Sequence, residues 1–225
     1  MSAQAPGSAE LAERLGALRA RIDELGGPEV ELVVVTKGFD VPSLVRVAEL
    51  GYFDLGESYV QELVQKWTSP ECSENGPLRN VRWHMIGQLQ TNKVGKVAGK
   101  VHLYHGVDRE RLVQRIAAKD PGAAVLLQVN VTEDVDRGGC GWDEVAALAA
   151  SGTGAGLHVR GVMAVGRGGA DAAATQADFE RLVATADQLG LPVRSIGMSG
   201  DWEAAVAAGS NMVRIGSAVL GERSS

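Results

Sequence analysis

The stretch "ELVVVTKGFD", residues 31–40, sets the pattern that predicts the fold. Four apolar residues run from Leu32 to Val35, and the run stops at a threonine, Lys37 and a glycine. A short apolar run of this kind predicts a buried strand, and the segment after it, residues 42–50, has helical spacing. The stretch therefore predicts a βα unit whose strand ends on a lysine.

The same unit recurs along the chain. Eight strands are predicted at 32–36, 52–55, 82–86, 101–104, 124–130, 158–164, 194–198 and 211–215. Helices are predicted at 42–50, 58–67, 108–118, 143–150, 174–189 and 201–208. Eight parallel units favour a closed barrel over an open sheet, and strands rich in Val, Ile and Leu fit burial on both faces. The sequence predicts an α/β fold, a single (β/α)8 TIM barrel over residues 1–225.

A further helix is predicted ahead of the first strand. Apolar residues recur at helical spacing from Leu11 to Leu25, within residues 8–25, and Gly26-Gly27-Pro28 stops the pattern. We therefore expect residues 1–28 to form an N-terminal helical extension of the barrel.

Composition narrows the class of protein. The 225 residues include 22 basic and 28 acidic side chains, for a net charge of −6, which argues against nucleic acid or an anionic membrane as partner. No apolar run approaches the roughly 20 residues that span a bilayer, and the N-terminus lacks a signal-peptide pattern. Cys72 and Cys140 have no metal-ligand spacing. We expect a cytoplasmic protein with two free thiols and no metal site.

Lys37 is the first candidate for chemistry. Side chains alternate along a strand, so Lys37 shares a face with Val33 and Val35. If that face points inward, Lys37 lies at the C-terminal mouth of the barrel, where such barrels build their active sites. A lysine there can attack a carbonyl once burial or a nearby cation has made its amine neutral. The alternative is a solvated lysine that ends a strand.

The second candidate lies in "SIGMSGDWEAAVAAGSNMVRIGSAVLGER", residues 195–223. Ser199 follows the seventh strand, and Gly216 and Ser217 follow the eighth. The loops after these two strands often hold a phosphate group in barrels of this kind. The alternative is a pair of ordinary helix caps, with Asp201 capping the helix after strand seven.

The stretch "VRWHMIGQLQTNKVGKV", residues 81–97, places His84 on the third strand. Polar residues in this stretch are expected to face the mouth of the barrel. The alternative for His84 is a hydrogen-bonded histidine of the core.

The end of the second strand carries polar residues in "FDLGESYVQELVQKW", residues 53–67. Ser58 or Glu57 could lie at the mouth or could cap the following helix. Glu62 and Lys66 are spaced for a surface i,i+4 pair.

The mouth of the barrel is predicted to hold a lysine amine, a phosphate-binding corner and Arg214. Together these groups suggest pyridoxal 5′-phosphate as the ligand. The combination resembles the pyridoxal phosphate homeostasis protein family, relatives of the alanine racemase barrel. The matching pieces, which run from about Val33 to Arg223, are "VVVTKG", "LGESYVQELVQK", "WHMIGQLQTNK", "QVNV", "RGVMAVG" and "GMSGDWEAAVAAGSNMVRIGSAVLGER".

The resemblance implies a barrel of the alanine racemase N-terminal type, monomeric or dimeric, that binds pyridoxal 5′-phosphate. By motif match it assigns Lys37 to the Schiff base, Ser199, Gly216 and Ser217 to the phosphate, Arg214 to the pyridine nitrogen, and His84 and Met198 to the pocket lining. Ser58 replaces the asparagine usual in the family, which puts any contact made by that asparagine in doubt. Thr36 stands where relatives often have serine.

The arginine bears on function. Its guanidinium cannot accept a proton from a pyridinium, so it keeps the ring neutral and weakens it as an electron sink. The sequence given ends at Ser225, so the second domain that racemases of this barrel use is not expected. We predict a carrier or buffer of pyridoxal phosphate, without measurable turnover, whose partners are the cofactor and apo-enzymes. The alternatives are a racemase or lyase, and a metal or sugar-phosphate barrel without a Schiff base.

Overall fold

Eight parallel strands close into a barrel in the order of the chain. The structure, a computed structural model, describes residues 3–134, 136–167 and 172–222. Each strand pairs in parallel with the next, and the first also pairs with the eighth. The predicted (β/α)8 barrel is confirmed, while Arg223, the end of the last motif, lies outside the described residues.

The element bounds follow the predictions closely. The strands are β1 Glu31–Val35, β2 Asp54–Glu57, β3 Arg82–Met85, β4 Val101–Val107, β5 Ala124–Gln128, β6 His158–Met163, β7 Val193–Ser195 and β8 Met212–Ile215. The helices are α1 Ser8–Gly26, α2 Val41–Glu49, α3 Val60–Trp67, α4 Val94–Val97, α5 Glu110–Lys119, α6 Val145–Gly154, α7 Ala172–Gln188, α8 Trp202–Ala207 and α9 Ser217–Leu220. Short 3₁₀ turns lie at Pro70–Cys72 and Thr91–Lys93. The short helix α4 was not predicted.

The core has an outer and an inner layer. The outer layer, between strands and helices, holds most of the buried apolar side chains, including Val34 and Leu55. The inner layer fills the barrel with five apolar residues from five strands: Val33, Leu103, Leu126, Met163 and Met212. Neighbours on β1 divide between the layers, and Val33 points inward, which meets the condition for placing Lys37 at the mouth.

The predicted N-terminal helix is present as α1. It buries Leu11, Leu15 and Ile22, which recur at helical spacing, and it packs on α2, α8 and α9. The Arg14 guanidinium also donates a hydrogen bond to the Val219 carbonyl. This helix therefore covers the junction between the first and last units of the barrel.

The seventh strand is shorter than predicted, and the difference shapes the mouth. It ends at Ser195, and the chain turns at Gly197, whose φ is +99°. A Cβ there would lie 2.9 Å from the Trp202 Cα, so this turn requires glycine. Asp201 occupies the N-cap position of α8, but its carboxylate accepts from the Met198 N–H at 2.6 Å instead of capping the helix. The predicted N-cap position of Asp201 is therefore confirmed, but the side-chain hydrogen bond of a cap is absent.

The two cysteines, Cys72 and Cys140, are free thiols, as predicted. Among the described residues no helix has the length and apolarity needed to cross a membrane. The same residues contain no group of three or more His, Cys, Asp or Glu placed to hold a metal ion.

Candidate functional site

A cavity of about 800 Å³ opens at the C-terminal mouth of the barrel. Val35, Phe39 and Ile86 form part of its apolar wall. Six of the eight predicted site residues line it: Lys37, Met198, Ser199, Arg214, Gly216 and Ser217. The structure therefore brings together residues that lie up to 180 positions apart in the chain.

The backbone on both sides of Lys37 is held by the side chains of α3. The Gly38 N–H donates to Glu62 Oε2 at 2.6 Å, and the Thr36 carbonyl accepts from Lys66 Nζ at 2.8 Å. Lys37 itself is half-buried. The strand end that carries the amine is thus anchored at the residue before it and the residue after it.

Lys66 belongs to a buried polar network behind Lys37. Its ammonium lies 2.7 Å from Glu57 Oε1, and the Thr36 hydroxyl donates to the same oxygen at 2.5 Å. The predicted i,i+4 pair of Glu62 and Lys66 is present, with Lys66 Nζ 3.4 Å from Glu62 Oε2, but its predicted surface location is wrong, because Lys66 is only 5 % exposed. Its position on α3 faces the barrel, and Glu57, at the end of β2, points outward toward it.

Glu57 is fully buried, and its second carboxylate oxygen has no hydrogen-bond partner among the described residues. Burial raises the pKa of Glu57, although Lys66 and the Thr36 hydroxyl act to lower it. The network of Thr36, Glu57, Glu62 and Lys66 is called the outer network below.

The phosphate corner predicted from sequence lies between the loop after β7 and the start of α9. Ser199 Oγ accepts from the backbone N–H groups of Gly216 and Ala218, each at 3.4 Å. A Cβ at Gly216 would lie 3.2 Å from the Val35 Cβ, so glycine allows the close approach of two strands here. Ser199, Gly216 and Ser217 all line this corner of the cavity.

Arg214, on β8, also lines the cavity. It is 3 % exposed, and its guanidinium donates to the Ser195 carbonyl at 2.5 Å, to Ser195 Oγ at 2.8 Å and to the Ala164 carbonyl at 2.8 Å. Burial lowers its pKa to about 10, so it is still a cation at neutral pH. Among the described residues, no carboxylate forms an ion pair with it.

His84 lies below the cavity and not in its lining, contrary to the role that the motif match implied. Its place in the register, opposite Gly56 and Leu103, puts it one layer down, and Ile86, two residues later, reaches the cavity. It is 1 % exposed, with Nε2 3.0 Å from Asp54 Oδ1 and Nδ1 2.9 Å from His105 Nε2. The alternative of a hydrogen-bonded core histidine describes it better.

Ser58 also lies outside the lining of the first cavity. It faces a second cavity of about 510 Å³, whose walls include Lys93 and Arg109. The physical reason is that β2 ends at Glu57 and the chain turns away there, with the Ser58 carbonyl packed against Gly87. Neither Glu57 nor Ser58 caps α3, whose N-cap residue makes no side-chain hydrogen bond.

Sequence reasoning missed the partners of the predicted residues. His105 and Ser195, which connect His84 to Arg214, were not singled out. The alternation of side chains along a strand could have predicted the contact between the two histidines, since His84 and His105 both fall on inward positions of neighbouring strands.

Comparison with known proteins first defines the class. The sequence profile of the family "Alanine racemase, N-terminal domain" matches residues 9–224. An alanine racemase structure from Corynebacterium glutamicum superposes with a TM-score of 0.66 at 17 % identity, over 94 % of this chain and 60 % of that one, which shows the shared fold. The molecule is a barrel of the alanine racemase type.

Closer relatives define the group within that class. The pyridoxal phosphate homeostasis protein of Pseudomonas aeruginosa is 35 % identical over 95 % of this chain and 96 % of its own length. The protein of that name from Escherichia coli K12 is 34 % identical, over 87 % and 86 %. PipY of Synechococcus elongatus, solved with pyridoxal phosphate bound, superposes with a TM-score of 0.80 at 29 % identity, over 94 % of this chain and 100 % of that one. The chain thus belongs to the pyridoxal phosphate homeostasis protein family.

Proposed function

We propose that this protein binds pyridoxal 5′-phosphate in the cavity at the mouth, with Lys37 joined to its aldehyde as a Schiff base. The observation that carries the proposal is the meeting of Lys37, Arg214 and the Ser199–Gly216–Ser217 corner in one cavity of about 800 Å³. The volume is within the range of small-molecule sites. The donor set fits the group: an amine for the aldehyde, amides and hydroxyls for the phosphate, and a guanidinium for the ring nitrogen.

The covalent step needs only Lys37 and the aldehyde. The bound cofactor would supply the aldehyde, and the neutral Lys37 amine would condense with it and release water. Water, or the lysine of another protein, would reverse the bond and return the amine to Lys37. The bond is therefore compatible with storage and with transfer, and neither direction requires a redox partner.

The charge of Arg214 favours a role in binding the cofactor over a role in catalysis. At a pKa of about 10 the guanidinium remains charged near neutrality, so it would donate to the ring nitrogen of a bound cofactor and would not leave that nitrogen protonated. An unprotonated ring withdraws electrons poorly from a substrate carbanion. We therefore propose a carrier or buffer that limits free aldehyde and supplies apo-enzymes that depend on pyridoxal phosphate, acting as a monomer or dimer in the cytoplasm.

The first experiment tests the Schiff base. Purified protein mixed with pyridoxal 5′-phosphate is expected to show the yellow band of a Schiff base, and borohydride is expected to fix the cofactor on the peptide that contains Lys37. Lys37→Ala should lose both signals, whereas Lys93→Ala, at the second cavity, should keep them. Attachment that survives in Lys37→Ala would overturn the proposal.

The phosphate corner is tested with two neighbouring glycines. Gly216→Ala brings a Cβ to 3.2 Å from the Val35 Cβ and should disturb the corner, whereas Gly200→Ala meets no atom within 4 Å. We expect roughly tenfold weaker binding of pyridoxal 5′-phosphate in Gly216→Ala, from the loss of one charge-assisted hydrogen bond, and less than a twofold change in Gly200→Ala. Equal affinities would place the phosphate elsewhere.

The racemase alternative predicts exchange of the α-hydrogen of amino acids with D2O. Exchange at about 1 s⁻¹ or faster, lost in Lys37→Ala, is the rate of an ordinary enzyme and would contradict the carrier role. A barrel without a Schiff base, the remaining alternative, predicts no yellow band and no borohydride product.

A further inference from the structure

A line of buried polar side chains crosses the interior of the barrel below the cavity. Asp54 Oδ1 lies 3.0 Å from His84 Nε2, and His84 Nδ1 lies 2.9 Å from His105 Nε2. His105 Nδ1 then lies 3.1 Å from Ser195 Oγ, which accepts from Arg214 at 2.8 Å. These five residues, called the inner chain below, come from β2, β3, β4, β7 and β8.

The inner chain connects the two openings of the barrel. Asp54 is the first residue of β2, at the N-terminal opening, where it also accepts a 2.6 Å bond from Arg82, a side chain that is 53 % exposed. At the other end Arg214 lines the cavity. Burial alone would raise the pKa of Asp54, but hydrogen bonds from His84 and Arg82 outweigh it and bring the pKa to about 2. Asp54 is therefore a carboxylate at neutral pH.

The groups at the two ends of the inner chain set a single direction for its hydrogen bonds. A guanidinium can only donate, and a carboxylate can only accept. Ser195 Oγ accepts from Arg214, so its own hydrogen is available for His105 Nδ1. His105 then carries its proton on Nε2 and donates to His84 Nδ1, and His84 donates from Nε2 to Asp54. In this arrangement each contact along the inner chain has one donor hydrogen and one acceptor, and each imidazole is neutral.

The reverse arrangement leaves groups unsatisfied. If His105 donated from Nδ1, Ser195 Oγ would receive two hydrogens, and its own hydrogen would need another acceptor. His84 would then have to donate from Nδ1 and also face Asp54 with Nε2, which requires a cationic imidazole. Buried polar groups that lack a partner are costly, so the neutral, one-way arrangement is favoured.

The charges around the imidazoles favour the same arrangement. His105 is fully buried, and burial, followed by the fields of His84, Arg214 and His102, lowers its pKa well below the usual range. His102, which is near Arg82 and Arg160, likewise has a lowered pKa, mainly through burial.

We infer that Asp54, His84, His105 and Ser195 are positioning residues for Arg214. They form a one-way hydrogen-bond chain that sets the orientation of the guanidinium in the cavity and makes the site sensitive to a carboxylate at the far opening of the barrel. Their effect on a ligand rests on the proposed function, but the proton arrangement does not, because it exists before any ligand binds.

The proton arrangement is tested by ¹⁵N NMR of the imidazoles in the full chain without added ligand. The chain has four histidines, so His102→Gln and His158→Gln assign the remaining two. We expect His84 and His105 both to be neutral, with the proton on Nε2. A proton on His105 Nδ1, or a doubly protonated His84, at pH 7.5 would overturn the inference.

Two buried serines give a matched test of the connection to Arg214. Ser195→Ala removes a hydroxyl of the inner chain, whereas Ser210→Ala removes an equally buried hydroxyl that bonds only to backbone carbonyls around β7 and β8. Ser195→Ala should mix the two tautomers of His105 and weaken binding of pyridoxine 5′-phosphate, which cannot form a Schiff base, by roughly tenfold. Ser210→Ala should change neither. Identical behaviour of the two variants would contradict the inference.

The far end is tested at Asp54. Asp54→Leu removes the acceptor and should mix the tautomers of His105, although that residue does not contact Asp54. Asp54→Asn keeps a carbonyl oxygen that can accept from His84, and should restore the Nε2 proton on both rings. If the His105 signal is the same in both variants and in the unchanged protein, the chain does not transmit the effect. If neither analogue nor cofactor binds the unchanged protein, the proposed function fails while the NMR result still decides the inference.

Discussion

Two buried polar networks lie near the cavity, and they differ in how far apart their positive and negative groups are. In the outer network the Lys66 ammonium lies 2.7 Å from the Glu57 carboxylate, so the opposite charges form a direct ion pair. In the inner chain the cation Arg214 and the carboxylate Asp54 are separated by Ser195, His105 and His84. The outer network can therefore hold the Lys37 strand end in place, while the inner chain leaves a guanidinium whose charge is available to a ligand.

The largest effect is expected from breaking the outer ion pair. Lys66→Met leaves the buried Glu57 and the Thr36 carbonyl without their partner, and should lower the free energy of unfolding by about 3–5 kcal/mol. Urea denaturation measures the change. Lys96→Met, at an exposed position of α4, is the control and should stay within about 0.5 kcal/mol. A loss below about 1 kcal/mol in Lys66→Met would show that the pair contributes little to holding the strand end.

The two networks should respond to acid in opposite directions. The pKa of Asp54 is about 2 in the fold against 3.8 for the free group, so its contribution is complete above about pH 4 and disappears as the pH falls toward 2. After allowing for solvent screening, about 1–2 kcal/mol is at stake. The unfolding free energies of the protein and of Asp54→Asn, measured from pH 6 to pH 2, should converge over that window.

Glu57 has the opposite sign. Its pKa in the fold is raised, so its contribution is present below the usual pKa and decreases as the pH rises through the folded value. Glu57→Gln should therefore lose most, relative to the unchanged protein, at the acidic end of the same titration. Parallel curves for Asp54→Asn and Glu57→Gln would remove the distinction between the networks.

The smallest effect concerns single hydroxyls. Thr36→Val removes the bond to Glu57 while keeping the shape, and should cost about 1–2 kcal/mol of unfolding free energy. Thr36→Ser, which keeps the hydroxyl, should recover most of that loss. Denaturation of the three proteins side by side tests this, and a fully stable Thr36→Val would mean that Lys66 alone satisfies Glu57.

The alternation of strands and helices was predictable because it depends on short-range patterns. The apolar run of β1 followed from the sequence pattern alone, and so did the lysine at its end, whereas the inward direction of Val33 came from the structure. The ends of strands were less predictable where pairing with a neighbouring strand sets them. Gly56 and Glu57 have no strand pattern, yet they belong to β2 because Val35 and the neighbouring strand β3 pair with them.

By itself, the sequence determined the barrel, its N-terminal helix and six residues that line the cavity, because strand order and motif position suffice to place them. Only the tertiary structure decided that His84 and Ser58 lie outside the cavity and that Lys66 is buried. It also decided the inner chain, since His105 meets His84 across 21 positions and Ser195 across 90. Closure of the barrel brings inward side chains from distant strands to within hydrogen-bond distance. Local sequence patterns do not indicate which of these side chains meet.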